Sequence, residues 1–301
     1  MEERMARIQA NNIEIEYETF GSTGLPALLL ISRLGGQLLD WDESLCESLA
    51  EKGYFVIRFD NRDSGLSSKI MDPEPGAAAK MFKAIMKGER VVPLYTIENM
   101  AEDAVGLLDA LRIEKAHICG ISMGGMIAQT IAIHHPDRVQ SLISIYSTTG
   151  DPDLPPPQAD ALNVLFEPAP TKRAANIDYT VNVFQVISGS GTHFDTAFLR
   201  EIAGRYYDRS FCPQGTAHHL IAALLQTNRK KQLADLTMPA LVIHGDEDPL
   251  VSMAAGKDTA EAIPNADLLI IEGMGHDLPM MNDCWKRIMG AMVHHMEKAV
   301  L

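Results

Sequence analysis

Cysteine is scarce in this chain: four residues in 301, at positions 46, 119, 212 and 284, with no C-x-x-C pair among them. That spacing offers no thiolate zinc site and no redox pair, so reduced, buried thiols are expected. Basic charge is also in short supply, with 26 Lys and Arg against 40 Asp and Glu for a formal charge of -14. No block of cations offsets this locally. The surface field therefore repels polyanions, and neither nucleic acid nor an anionic membrane is an expected partner. No stretch approaches the roughly 20 apolar residues of a membrane span. The start, with alternating charge over 1–7, has no apolar run of the secretory kind. Together these absences predict a cytoplasmic protein.

What is present is the material of a globular enzyme. Hydrophobic residues make up 46% and charged residues 22%, which places the chain away from disordered and fibrous compositions. Short continuous apolar runs at 27–31 and 54–59 suit strands buried on both faces, and 42–51 between them has helical spacing of Leu45, Leu49 and Ala50. Strand, helix, strand implies a parallel pair with a right-handed crossover. The unit recurs: a helix over 97–111, a strand at 116–119, a helix over 126–134 and a strand at 142–146. A short helix at 77–86 precedes these, as a surface excursion or a wall of the site. The Pro-rich run 151–157 then marks a boundary. Helical patterns, such as 197–206 and 217–225, follow without a convincing strand. Strands return at 239–244 and 266–271 with a helix at 255–262 between them, and a covering helix over 284–300 carries Trp285, Ile288, Met292 and Met296 on one face. The expected organisation is an α/β core in two parts, 1–149 and 229–301, with a helical cap over 150–228.

The run Gly120-Ile121-Ser122-Met123-Gly124 matches G-x-S-x-G between a predicted strand and a predicted helix. In that context Ser122 stands on a sharp, strained turn, and the positions two before and two after it must be small. A serine hydroxyl needs a base, and the base needs a carboxylate to orient it. The chain order Ser, acid, His is met by Asp248 and His276, each in a loop after a late strand. Asp246, Glu247 and Asp248 crowd the first loop, and Pro249 beside Asp248 favours that residue, with the neighbours as solvated loop acids. Gly273 and Gly275 let the second loop turn back over Ser122. The paired histidines 134–135, 218–219 and 294–295 are not expected to bind metal, because adjacent helical residues point apart. No metal or other cofactor is called for. An oxyanion needs two backbone donors: the Met123 N–H is one, and the loop 32–36 supplies the other, from Leu34 or Gly35.

Three segments together, 58–67 (Arg-Phe-Asp-Asn-Arg-Asp-Ser-Gly-Leu-Ser), the Ser122 turn and 272–276 (Glu-Gly-Met-Gly-His), resemble the α/β-hydrolase superfamily, nearest to its aclacinomycin methylesterase group. The resemblance spans essentially the whole chain. It implies a mostly parallel eight-stranded sheet flanked by helices, with a helical cap. It also implies Ser122, Asp248 and His276 as catalytic residues, Leu34 and Met123 as oxyanion donors, and hydrolysis of a small-molecule carboxylic ester. A lactone, thioester or carbon–carbon bond, or perhydrolysis, would use the same residues, and a non-catalytic ligand-binding relative is the alternative outside enzymology. The chain departs from the family at Ser32-Arg33, where His-Gly or Met-Gly is common. Arg33 is expected in one of three situations: turned to solvent or a surface ion pair, lining the pocket for an acidic ester, or distorting the hole. Arg33, Gly35, Met274 and Leu278 are the candidate pocket residues. Met274 and Leu278, with Met280 and Met281, serve equally as core filling. Arg62 and Asp63 are expected to hold their loop.

Overall fold

The computed structural model describes residues 5–74, 76–191, 195–277 and 283–299. Eight strands, β1 (Met5–Ala10), β2 (Ile13–Phe20), β3 (Ala27–Ile31), β4 (Phe55–Phe59), β5 (Ala116–Ile121), β6 (Val139–Ile145), β7 (Ala240–Gly245) and β8 (Asp267–Ile271), form one sheet in the order β1-β2-β4-β3-β5-β6-β7-β8. β1 and β2 pair antiparallel, as do β2 and β4. Every pairing from β4 to β8 is parallel. The central strands β3, β4, β5 and β7 are buried at every residue, as continuous apolar runs demand when helices cover both faces.

The helices are α1 (Glu43–Glu51), α2 (Ala77–Met86), α3 (Ile97–Ala110), α4 (Met123–His134), α5 (Ala159–Phe166), α6 (Arg173–Ile187), α7 (Thr196–Arg209), α8 (Pro213–Leu224), α9 (Lys230–Leu233), α10 (Met253–Ala262) and α11 (Asp283–Lys298). On one face of the sheet α3 and α4 bring Met100, Leu107, Leu108, Ile127 and Ile131 into the core. On the other face α1 and α11 bring Leu45, Leu49, Ile288, Met292 and Met296. Each such fully buried side chain contributes about 1.5–3 kcal/mol. Between β6 and β7 the described residues contain helices and no strand.

Two expectations need correction, and one element goes beyond them. The chain starts with a hairpin: Asn11 and Asn12 both take positive φ, 47° and 65°, the signature of a two-residue primed turn that twists with its strands. Helix α4 begins at Met123, not Met126, because Gly124 and Gly125, poor helix formers, are enclosed by the strand ends they pack on. The cysteines are not all buried: Cys46 and Cys119 are, while Cys212 and Cys284 are half-buried. Burial pushes the Cys46 thiol up to about 12, away from nucleophilic chemistry. Among the described residues no helix is long and apolar enough to cross a membrane, and no cluster could hold a metal ion.

Candidate active site

The end of β5 turns into α4 at Ser122, whose backbone sits at φ 53° and ψ -118°. A residue with a side chain pays about 1–3 kcal/mol for such a conformation and keeps it only where neighbours dictate it. Here the Ser122 N–H donates to the Ile145 carbonyl at 2.9 Å. The Ser122 carbonyl accepts from Gly125 N–H at 2.9 Å and from the Ser147 hydroxyl at 2.7 Å. The glycines are required by contact. A Cβ at Gly120 would be driven into the Gly124 carbonyl, one at Gly124 into the Ile31 carbonyl, and one at Gly125 would lie 2.5 Å from Ser147 Cβ.

His276 Nε2 lies 2.8 Å from Ser122 Oγ, and its Nδ1 lies 2.7 Å from Asp248 Oδ2. A carboxylate only accepts, so Nδ1 carries the proton and Nε2 is left to accept from the serine. All three residues are nearly enclosed, at 8%, 4% and 6% exposure for Ser122, His276 and Asp248. The other oxygen of Asp248 accepts from the N–H groups of Leu250 and Val251, each at 2.8 Å. Burial pushes this carboxyl up, but His276 and His244 outweigh it and hold Asp248 well below the usual carboxylate range. Its neighbours Asp246 and Glu247 are exposed on the loop, as expected, and each is also hydrogen-bonded. Asp246 accepts from Gly273 N–H at 2.7 Å, and Glu247 accepts from the N–H and hydroxyl of Ser190 at 2.6 and 2.8 Å.

The His276 loop is clamped by the last residue of α6 and the segment that follows it. His276 N–H donates to the Ile187 carbonyl at 2.7 Å, and Gly191 N–H to the Gly273 carbonyl at 2.8 Å. Gly273, at φ +73°, makes the turn, whereas Gly275 is there because the backbone of 187–189 leaves no space for a Cβ. Tyr146, fully buried after β6, meets the His276 ring edge-on at 4.7 Å between centroids. Nothing in the sequence pattern singled it out.

The loop after β3 runs beside the Ser122 turn, since the Ile31 and Ser32 carbonyls abut Gly124. It closes as a turn in which Gly36 N–H donates to the Arg33 carbonyl at 3.0 Å with Gly35 at φ +64°, the position of a type II turn that favours glycine. The Gly35 N–H is occupied, donating to His219 Nδ1 at 3.0 Å. Among the described residues neither Leu34 nor Met123 directs its N–H to a partner. Arg33 is half-buried. Its Nε lies 3.2 Å from Asp40 Oδ1, and its guanidinium sits 5.2 Å from the Phe184 ring centroid. Asp40 also accepts from the Tyr206 hydroxyl at 2.6 Å. Arg33 is thus in an ion pair, as one expectation had it, but in an internal one. Met274 is fully buried in the core with Ile271 and Ile288, the packing alternative for that residue. Leu278, Met280 and Met281 lie outside the described residues.

A family model for the alpha/beta hydrolase fold matches residues 26–283. The chain belongs to the alpha/beta hydrolase fold family. This hydrolase is 28% identical to rhodomycin D methylesterase DauP of Streptomyces sp. strain C5, over 91% of its own length and 92% of that protein's. It is 26% identical to 3-oxoadipate enol-lactonase 2 of Acinetobacter baylyi, over 88% and 87%. Among solved structures, the enol-lactonase from Burkholderia xenovorans LB400 matches at a TM-score of 0.73 and 20% identity, covering 97% of this chain and all of that one.

Two histidines of the hydrolase have functions that their spacing concealed. His218 Nδ1 lies 2.8 Å from Asp63 and Nε2 2.9 Å from Asp72. Both partners only accept, so the ring is a doubly protonated clasp. Burial lowers its pKa, but the two carboxylates outweigh burial and raise it. His219 next to it is neutral, with its pKa lowered to about 4 chiefly by burial. Its Nε2–H donates to the Arg62 carbonyl at 2.7 Å, leaving Nδ1 to accept from Gly35. Arg62 is held in turn by both oxygens of Asp103 at 2.6 and 2.7 Å, so Arg62 and Asp63 do anchor their loop.

Proposed function

We propose that the protein is a carboxylic-ester hydrolase acting through an acyl-enzyme on Ser122, on a small to medium apolar substrate. The observation that carries this reading is the continuous relay from Ser122 Oγ through both nitrogens of His276 to a buried Asp248. His276 Nε2 takes the serine proton as Oγ attacks the ester carbonyl, then returns it to the departing alcohol. Asp248 stays ionised and stabilises the imidazolium formed in between. The N–H groups of Met123, at the positive end of α4, and of Leu34 receive the developing oxyanion, because Gly35 already has an acceptor. Water, activated by the same imidazole, then releases the acid.

Residues 150–228 form the cap in this reading, over a core made of 1–149 and 229–301. Arg33, paired with Asp40 and stacked on Phe184, is a wall residue with its charge already matched, which disfavours an acidic ester. Relatives named as a methylesterase and an enol-lactonase support an acyl–oxygen bond as the one cleaved. The test is a panel of p-nitrophenyl esters, methyl esters and lactones, with fluorophosphonate labelling in parallel. Ester turnover and labelling, both abolished in Ser122→Ala, are expected. A wild-type protein that neither turns over any of the panel nor takes the label ends the proposal.

A further inference from the structure

We propose that His219, on α8 and away from the relay, is a positioning residue for this reaction, setting the oxyanion loop through its bond to the Gly35 N–H. The inference rests on the serine-hydrolase reading given above.

The loop needs such a hold. Gly35 and Gly36 are consecutive, and glycine restrains its own backbone least of all residues. The Gly36-to-Arg33 bond closes the turn but leaves the central Leu34–Gly35 peptide free to flip unless its N–H is tied. His219 ties it at 3.0 Å. The peptide on the other side of the Leu34 Cα carries the proposed oxyanion donor, so its direction depends on the anchored plane. The tie is directional, because Nε2–H is engaged by the Arg62 carbonyl and only Nδ1 can accept. Arg62 itself is fixed by Asp103, so the hold runs from α3 through Arg62 and His219 to Gly35. It is also shielded: His219 is completely buried, out of reach of bulk solvent. A donor misaligned at the oxyanion raises the barrier to the transition state while leaving substrate binding nearly as it was.

Two variants separate the halves of the ring. In His219→Asn the side-chain oxygen falls near Nδ1 and can accept from Gly35. In His219→Gln the terminal amide falls near Nε2 and can donate to Arg62, leaving Gly35 N–H without an acceptor. Each loses one of the two hydrogen bonds, so a purely structural role lowers their melting temperatures and activities alike. Steady-state hydrolysis of p-nitrophenyl butyrate and the affinity of an aryl trifluoromethyl ketone, which forms a serine-bound alkoxide, are the readouts. The expected result is a kcat reduced about 100-fold in His219→Gln, with KM within about threefold and ketone affinity falling in parallel. His219→Asn should keep kcat within about fivefold of the wild type. Equal kcat in the two folded variants, or a loss carried by KM, overturns the inference while Ser122-dependent turnover by the wild type leaves the hydrolase reading standing. Absence of that turnover overturns both.

Discussion

His244 Nε2 lies 3.4 Å from Asp248 Oδ2, the oxygen that His276 holds at 2.7 Å, while donating to the Val251 carbonyl at 2.8 Å. Two imidazoles therefore face one carboxylate oxygen, and only one of them also faces the serine. Asp248→Asn should lower kcat by about three to four orders of magnitude, because an amide can hold the wrong tautomer of His276. His244→Leu should lower kcat less than tenfold, since Asp248 keeps its bonds to His276, Leu250 and Val251. The same change should cost on the order of 1–3 kcal/mol of stability through the unpaired Val251 carbonyl. Steady-state kinetics and urea unfolding of both variants check this, and the reverse ranking would contradict it.

The contact between Gly125 and Ser147 makes a compensating pair. Gly125→Ala places a methyl 2.5 Å from Ser147 Cβ, and overpacking of this kind costs about 1–3 kcal/mol. Adding Ser147→Gly should recover part of the loss, though not the hydroxyl bond to the Ser122 carbonyl. Melting temperatures of the two single variants and the double variant give the coupling. Strict additivity would mean that the two positions do not collide.

Arg33 and Asp40 are expected to act as a unit. Burial already lifts Asp40 above the usual carboxylate range despite Arg33 and Tyr206, so Arg33→Met should strand it and destabilise the fold by several kcal/mol. Arg33→Met with Asp40→Asn should restore much of that. The ratio of activities on neutral and acidic esters should stay unchanged in the double variant. A selective loss on acidic esters would assign Arg33 to substrate recognition instead.

Stability should depend on pH through His219 and His218 in opposite directions. His219 has a folded pKa of about 4 against about 6.5 when unfolded, so the fold favours its neutral form. That contribution is complete above about 6.5 and is lost as pH falls toward 4, on the order of 3 kcal/mol in all. Asp63, His218 and Arg62 are the charged groups around it. His218, raised by Asp63 and Asp72, contributes fully below about 6.5 and loses its contribution as pH rises through its folded value. Urea midpoints from pH 4.5 to 9 should fall at both ends, with a shallower acid limb in His219→Asn and a shallower alkaline limb in His218→Gln. Limbs identical to wild type would remove these assignments.

The alternation of short apolar runs with amphipathic helices was enough to read the parallel sheet, since both signals are local. Ser122, Asp248 and His276 were legible because each stands in a loop with its own constraints: glycines without room for a Cβ, a proline, a strand before it. The hairpin at Asn11-Asn12 was missed because β1 is an edge strand with mixed charges. Helix α6 lies within the stretch read as helical, but its bounds were not legible because its buried residues, Asn176, Ile177, Val181 and Ile187, follow no regular stripe. His219 was out of reach for a different reason. Its partner Gly35 is 184 residues away, and no local pattern encodes a contact at that separation.

Both loops that flank Ser122 are tied to the stretch between β6 and β7: one by the Ile187 carbonyl and Gly191 N–H, the other by His219. In the proposed reading, where this stretch is the cap, pocket shape and chemical competence are therefore inherited together. A chimera that receives the stretch from a relative would change the pocket lining, but it would stay an efficient enzyme only if the donor also brought an acceptor opposite residue 35 and a carbonyl opposite residue 276.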